Sequence, residues 1–486
     1  MVFSSTIFLF AFLPICLIGY YLVDRKFKNF FLLLMSLLFY AWGEPKFVVL
    51  MIASIIINYL IARLIDTKRE SKGWMRIANV ILFGWNLGLF FVFKYLMFTM
   101  HNVNALFGTS WEIPNIALPI GISFFTFQAM SYVLDVKRKN CEVQKNIFDL
   151  ALYISFFPQL VAGPIVRYST VAEQLKERKE TLDLFYSGMK RFIVGFAKKL
   201  ILANFFGIIT DAAFGVEQGQ LTFAMAWLGG IGYSLQLYYD FSGYSDMAIG
   251  LGRMFGFEFE ENFNYPYIAR SIREYWRRWH ISLGAWFREY LFFPVTTSKW
   301  MSKLNKTVKN KFGFKTCRKV SVAVPLFITW MATGIWHGAT WNYVIWGFYF
   351  SFFIILENLG FDKKLEKTPK VIQHIYVTIL MIIARIVVRT SSVSEFVFYM
   401  KAMVGFGNGF TDAYSNFMWS SYLIIIVIGI LFCIPVAGWL RKKAETYVIT
   451  NRMLFVLEPV GYIVLFVVAI SFMVNSSYNP FIYFNF

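Results

Sequence analysis

Charge is scarce in this chain of 486 residues: Asp, Glu, Lys and Arg make up only 15% of it, against about a quarter in soluble domains. Hydrophobic residues supply 58%, which excludes an ordinary soluble fold and points to the membrane. Cysteine is equally sparse. Cys16, Cys141, Cys317 and Cys433 lie far apart with no CxxC spacing, so neither a disulfide framework nor a zinc site is expected. The sequence has no HExxH, GxSxG or GK[ST] element, which removes support for a zincin, a serine hydrolase or a P-loop ATPase. Acidic residues number 28 against 47 basic ones, a net charge of +19. The basic residues nonetheless fall in short blocks between apolar runs, a pattern of membrane topology rather than of nucleic-acid binding.

Those blocks orient the chain. Apolar runs at residues 3–23, 30–42, 47–65, 77–99 and 117–136 are separated alternately by basic and base-poor loops. "DRKFK" (24–28), "TKRESKGWMR" (67–76) and "DVKRKN" (135–140) fall on one side, which the positive-inside rule makes cytoplasmic. No basic residue precedes the first run, the reverse of a signal peptide, so a retained first helix starting outside is expected. Residues 148–167, with Pro164, read as a re-entrant element returning to the cytoplasmic "KERKE" (176–180), and 254–298 as interfacial or re-entrant. Residues 299–319 carry eight Lys or Arg and no acid, which predicts a basic cytoplasmic loop. Further runs at 183–210, from 221, and at 320–337, 342–358, 371–388, 417–438 and 455–474 complete the count. The expected fold is an all-α polytopic membrane protein of roughly 11–12 transmembrane helices, one membrane domain over 1–486, with both termini extracytoplasmic.

The four histidines are the sparsest chemical signal. His101 and His374 have no potential ligand beside them. His337 sits in "TGIWHGATWNYVIWGF" (333–348), between Trp336 and Trp341, at the outer end of an apolar run. A buried imidazole there is either satisfied by a neighbour or kept for proton chemistry, and Gly334 and Gly338 would leave room beside it. His280 lies in "ARSIREYWRRWHISLGAWFREYLFFPV" (269–295). Ile272, Trp276, Trp279, Leu283, Phe287 and Leu291 recur there at helical spacing, with Arg270, Arg273 and Arg277 on another face. That periodicity predicts an amphipathic helix near the cytoplasmic interface. Its Arg and Trp residues fit either a lipid anchor or a basic, aromatic mouth for a phosphate-bearing donor. Asp240 and Asp246 follow an apolar run, where an unpaired acid costs roughly 2.5–3.5 kcal/mol on insertion scales. Structural salt bridges to arginines are expected of them, ahead of a catalytic role. Lys198 and Lys199, deep in the 183–210 run, need partners or a water-filled cavity.

Taken together, "LPIGISFFTFQAMSYVLDVKR" (118–138), "FFPQLVAGPIVR" (156–167), "DFSGYSDMAIGLGRMFGFEFEENFNYPY" (240–267), the His280 segment, "GIWHGATWNYVIWG" (334–347) and the closing "SYNPFIYFNF" (477–486) carry a specific resemblance. The chain resembles the membrane-bound O-acyltransferase (MBOAT) superfamily, in its bacterial branch of alginate O-acetyltransferase membrane subunits. One departure is "ARIVVRTSS" (384–392), which makes Arg389 a poor bearer of a transferred role. The resemblance implies helices around a central funnel, with His337 and His280 as the catalytic histidines, one at each mouth. It implies an acetyl group moving from a cytoplasmic thioester, acetyl-CoA or phosphopantetheine-bound, to an acceptor outside, with no tightly bound cofactor and no metal. Arg273, Trp276, Trp279 and Trp336 become substrate-binding candidates. The implied partners are an extracytoplasmic serine-hydrolase-like acetyltransferase, a polysaccharide acceptor, an acyl carrier protein and membrane lipid, and no nucleic acid. The implied location is the bacterial cytoplasmic membrane. D-alanyl transfer from a carrier protein to teichoic acid, a non-catalytic polysaccharide exporter and a structural scaffold are the rival readings.

Overall fold

The computed structural model describes every residue except 218, 445–447 and 476–486. The closing motif at 477–486 and the C-terminal end of the topology reading therefore lie outside the described residues. Helices run through the whole described chain, and the one extended pairing among the described residues is an isolated bridge between Phe263 and Trp279. In chain order the elements used below are α1 (Phe8–Leu22), α2 (Lys28–Gly43), α3 (Phe47–Thr67), α4 (Lys72–Phe107), α5 (Ile122–Arg138), α6 (Ile147–Ser155), α7 (Tyr168–Lys176), α8 (Leu182–Phe214) and α9 (Phe223–Met254). They continue as α10 (Ile272–Arg278), α11 (Ile281–Phe287), α12 (Lys299–His337), α13 (Trp341–Leu365), α14 (Lys370–Arg389), α15 (Ala413–Phe432) and α16 (Leu457–Asn475).

Eight of these, α3, α4, α8, α12, α13, α14, α15 and α16, are long and apolar enough to cross a membrane. The other expected spans form the shorter helices α1, α2 and α5, and the 32-residue α9. Residues of α9 from Leu228 onward are almost all buried, polar ones included, so α9 is the inner post of the bundle rather than a lipid-facing span. That burial is why its sequence is less apolar than its neighbours': its surroundings are protein, which can answer polar groups.

Glycine lets α8 and α9 meet at backbone distance. A Cβ on Gly195 would lie 2.5 Å from the Gly243 carbonyl, and one on Gly250 2.6 Å from the Gly188 carbonyl. The pairs recur seven residues apart on each helix, so one seam of close contact runs two turns. Beside it Lys199 Nζ meets Asp240 2.6 Å away, both side chains 2% exposed. Asp246 receives Lys198 and Arg191, each at 2.6 Å. Of the two acids, expected to pair with arginines, Asp246 meets one arginine and one lysine, and Asp240 meets a lysine.

Contacts sort the basic segments onto one side of the bundle. Lys28 pairs with Glu180 at 2.6 Å, Arg69 donates to the Val136 carbonyl, and Arg138 pairs with Glu289. The base-poor segments gather at the other end, where the Trp341 indole donates to Asn102. Residues 147–166 enter as α6, turn at Phe156 and come back, so that the Tyr153 hydroxyl donates to the Val166 carbonyl and Tyr168 meets both Tyr153 and Tyr132 edge-on.

Two expectations need correction. Residues 299–319 are not a loop: they form the first part of α12, broken at Gly313, whose φ of 79° lies in the left-handed region. Lysine is a good helix former, and a run of Lys without Pro tells solvent exposure but not loop. The periodic segment 269–295 is not one amphipathic helix either. It is α10, a break at Trp279–His280, and α11.

Candidate active site

His280 owes its position to that break. Trp279 leaves the helix at φ −107° and ψ 126°, and His280 is left-handed at φ 47° and ψ 54°. A left-handed non-glycine residue costs roughly 1–2 kcal/mol, and the turn is held by backbone pairing with residues 262–264. Asn264 N–H donates to the Arg278 carbonyl and Ile281 N–H to the Asn262 carbonyl. The Asn262 side chain then fixes the ring. Its Oδ1 accepts from the Ser282 N–H and hydroxyl and lies 3.1 Å from His280 Nδ1. An oxygen already accepting from two Ser282 donors makes Nδ1 the protonated nitrogen and leaves the lone pair on Nε2. Strain of this kind, held by surrounding structure, belongs to functional sites.

His337 is the last residue of α12. The carbonyls a helix leaves unpaired at its end are met here from α4. The Tyr95 hydroxyl donates to the Ile335 carbonyl, and the Lys94 ammonium donates to that of Trp336. A cation at a helix C-terminus is also favoured by the helix dipole. The expected room beside Gly334 and Gly338 is occupied. A Cβ on Gly334 would lie 2.5 Å from the Tyr343 carbonyl, and one on Gly338 2.1 Å from the Tyr343 ring. The glycines let α13 close on the histidine rather than leaving a gap beside it.

The two histidines line one cavity with Leu237, Phe241, Trp276, Trp279, Tyr343, Trp346, Arg385 and Val388. They are not at separate mouths. Phe241 meets His280 edge-on at 4.7 Å, Trp346 meets His337 at 5.0 Å, and the buried Trp336 ring touches both imidazoles, at 6.5 and 4.9 Å. Phe241 lies thirteen residues before the end of α9, about 20 Å along its axis at 1.5 Å per residue. His280 is therefore carried deep into the bundle, not left at its inner surface. The cavity measures about 20 Å³, room for one water molecule.

The remaining candidates divide. Trp276 and Trp279 line the cavity, and Trp336 backs it, stacked on Phe127 and inclined to the two imidazoles. Arg273 does not reach it. Its guanidinium pairs with Asp362 at 2.7 Å, and its backbone N–H donates to Glu357. Arg389 pairs with Asp211 near the base-poor end.

Arg385 is the residue that sequence reasoning missed. It is buried, donates to the Tyr275 hydroxyl at 3.1 Å, and lies 4.4 Å over the Trp279 ring. Its Nε, and the indole N–H groups of Trp276, Trp336 and Trp346, have no hydrogen-bond partner among the described residues. The signal was a lone Arg inside the apolar run "TILMIIARIVV" (378–388), which is functional by default in a membrane helix. Asn262 carried no signal at all.

The fold is that of a polytopic membrane protein. The site, with two imidazoles and a guanidinium and with no Ser or Cys among its lining residues, suits acid–base chemistry on a bound substrate rather than a covalent nucleophile on this chain. Residues 125–393 match the model of the membrane-bound O-acyltransferase family, and the chain belongs to that family. It is 33% identical over its whole length to the whole of a probable alginate O-acetylase AlgI of Azotobacter vinelandii. It is 28% identical, over all of this chain and 98% of the relative, to a peptidoglycan O-acetyltransferase of Helicobacter pylori. A teichoic acid D-alanyltransferase of Bacillus subtilis matches at 30% over 54% of this chain and 65% of its own. The protein is a multi-pass membrane O-acyltransferase.

Proposed function

We propose that this enzyme moves an acetyl group from a cytoplasmic thioester to a hydroxyl on the other side of the bacterial cytoplasmic membrane, toward O-acetylation of an extracytoplasmic polysaccharide. The observation carrying this reading is the convergence of His280, His337 and Arg385 on one cavity inside the bundle. End-to-end similarity to alginate and peptidoglycan O-acetylating relatives supports the acetyl group and the polymer. D-alanyl transfer rests on relatives matched over about half of this chain and is the lesser reading.

In the proposed step the acceptor hydroxyl loses its proton to the His337 imidazole as its oxygen bonds to the thioester carbonyl carbon. The tetrahedral oxyanion collapses, the C–S bond breaks, and the thiolate leaves with the proton returned by the imidazole. Base catalysis of this kind supplies about 10²–10⁴-fold. Arg385, and the indole N–H groups without partners, are the donors available to the oxyanion, which in a dry site gains more from them than in water. His280, fixed by Asn262 with its lone pair on Nε2, is the second proton carrier. Coenzyme A or a phosphopantetheine carrier delivers the donor, which needs ring movement to enter, since the cavity admits about one water. A separate serine-hydrolase-like acetyltransferase outside would hand the group to the polymer.

The test is transfer of labelled acetyl from acetyl-CoA to protein or polysaccharide, using purified membranes at matched expression. Label that appears with wild type and vanishes with His337→Ala supports the mechanism. Equal labelling by both removes His337 from the chemistry.

A further inference from the structure

A second cavity, of about 640 Å³, lies at the basic end of the bundle, far larger than the histidine cavity. It is built where the start of α2, the start of α6 and the segment after α7 meet. Arg25, Lys26, Lys28, Lys176 and Arg178 line it, against the two carboxylates Asp149 and Glu180, an excess of three positive charges. The acids are already engaged. Glu180 holds Lys28 at 2.6 Å, and Asp149 accepts from Asn29 and Asn146. Lys26 and Lys176 have no carboxylate partner among the described residues, and Arg25 has only a loose contact of 3.7 Å to Glu177.

Arg178 makes this a built site rather than a patch of surface lysines. Its side chain is 7% exposed, wedged by hydrogen bonds to Asn29 and Tyr20, lying 4.5 Å over Phe257, with its Nε 3.8 Å from Glu180, the carboxylate that also holds Lys28. Its Nη2 has no hydrogen-bond partner among the described residues. The N-terminal ends of α2 and α6 border the same space, that of α6 capped by the Asn146 side chain and that of α2 continuing from the turn at Arg25–Phe27. On the rim, Phe30 and Phe148 meet edge-to-face at 5.6 Å while both remain about half exposed. Exposed aromatic edges beside a cationic cleft suit a ligand whose anionic head enters the cleft and whose hydrocarbon lies along the rim. A soluble phosphate would leave those rings uncovered.

We propose that this cleft binds the phosphate headgroup of an anionic phospholipid, with its acyl chains against Phe30 and Phe148. The lipid would tie the first helices to the re-entrant segment 147–166. The site is separate from the histidine cavity, and its occupancy does not depend on which acyl group the enzyme transfers.

Native mass spectrometry of the full-length detergent-solubilised protein tests it by titration with phosphatidylglycerol, phosphatidylcholine or glycerol 3-phosphate. Wild type is expected to retain phosphatidylglycerol in preference to phosphatidylcholine. The exposed double variant Arg25→Gln/Lys26→Gln, which leaves Arg178 and its packing intact, is expected to weaken that binding about 30-fold, the effect of two basic side chains at a membrane surface. The same neutralisation at Lys363 and Lys364, a basic pair outside the cleft, is expected to leave it unchanged. Equal retention of the two lipids, or equal loss in both double variants, would overturn the proposal. Glycerol 3-phosphate binding as tightly as the lipid would make this a soluble-phosphate site and overturn it as well.

Discussion

At the seam between α8 and α9 every buried acid faces a cation: Asp240 meets Lys199, and Asp246 meets Lys198 and Arg191, all at 2.6 Å. Around the two histidines the terms differ. Indole N–H groups of Trp276, Trp336 and Trp346 and the Arg385 Nε are buried without hydrogen-bond partners among the described residues, beside a cavity for about one water. Both regions sit inside the same bundle and face the same cost for burying polar groups. The first settles the cost of its charges internally, by pairing each carboxylate with a cation. The second leaves donors unpartnered around a cavity, an arrangement the proposed acyl transfer would use.

That contrast can be broken by experiment. The largest effect is expected from His337→Ala: acyl transfer falls about 10²–10⁴-fold while the thermal midpoint in detergent stays near that of wild type. A large loss of midpoint would instead place His337 with the structural residues. Asp240→Ala is expected to do the opposite, because it strands the Lys199 charge. Removing one partner of a buried pair costs about 3–5 kcal/mol, read as a lower unfolding midpoint and poor yield. The double replacement Lys199→Met/Asp240→Leu sharpens the point: a buried pair exchanged for apolar residues is often neutral, so stability is expected to return toward wild type. If the double variant is as damaged as the single one, the pair does more than satisfy itself.

Smaller effects probe how the site is held. Asn262→Ala removes the acceptor that orients His280, a loss of about 1–3 kcal/mol for a buried hydrogen-bond partner. It should lower kcat roughly 10- to 100-fold with KM little changed, and a change in KM alone would make Asn262 a substrate contact. Val388→Ala enlarges the cavity wall by two methyl groups. A methylene is worth about 1–3 kcal/mol in acyl discrimination, so the ratio of propionyl to acetyl transfer should rise several-fold. An unchanged ratio would mean that the acyl group binds elsewhere.

Much of the fold was legible because hydrocarbon leaves few choices. Long apolar runs must be helices, and basic blocks must stay together, as Lys28 with Glu180 and Arg138 with Glu289 show. Acids in such a run need cations, so a partner for Asp240 and Asp246 could be expected, but not that Lys199 and Lys198 would supply it. Helical periodicity across 269–295 misled because α10 and α11 bury the same kinds of side chain on either side of the break. No Gly or Pro marks Trp279–His280, and the left-handed turn is held by residues 262–264.

The sequence by itself determined that this is a helical membrane protein, which polar residues needed partners, and which two histidines were the candidates for its chemistry. Only the tertiary structure decided that His280 and His337 share one cavity, that Arg385 joins them and Arg273 does not, and that Asn262 sets a tautomer. The physical reason is range. Partition into a membrane is a local property of each run of side chains, whereas convergence depends on backbone breaks and close helix approaches whose stabilising contacts come from distant parts of the chain.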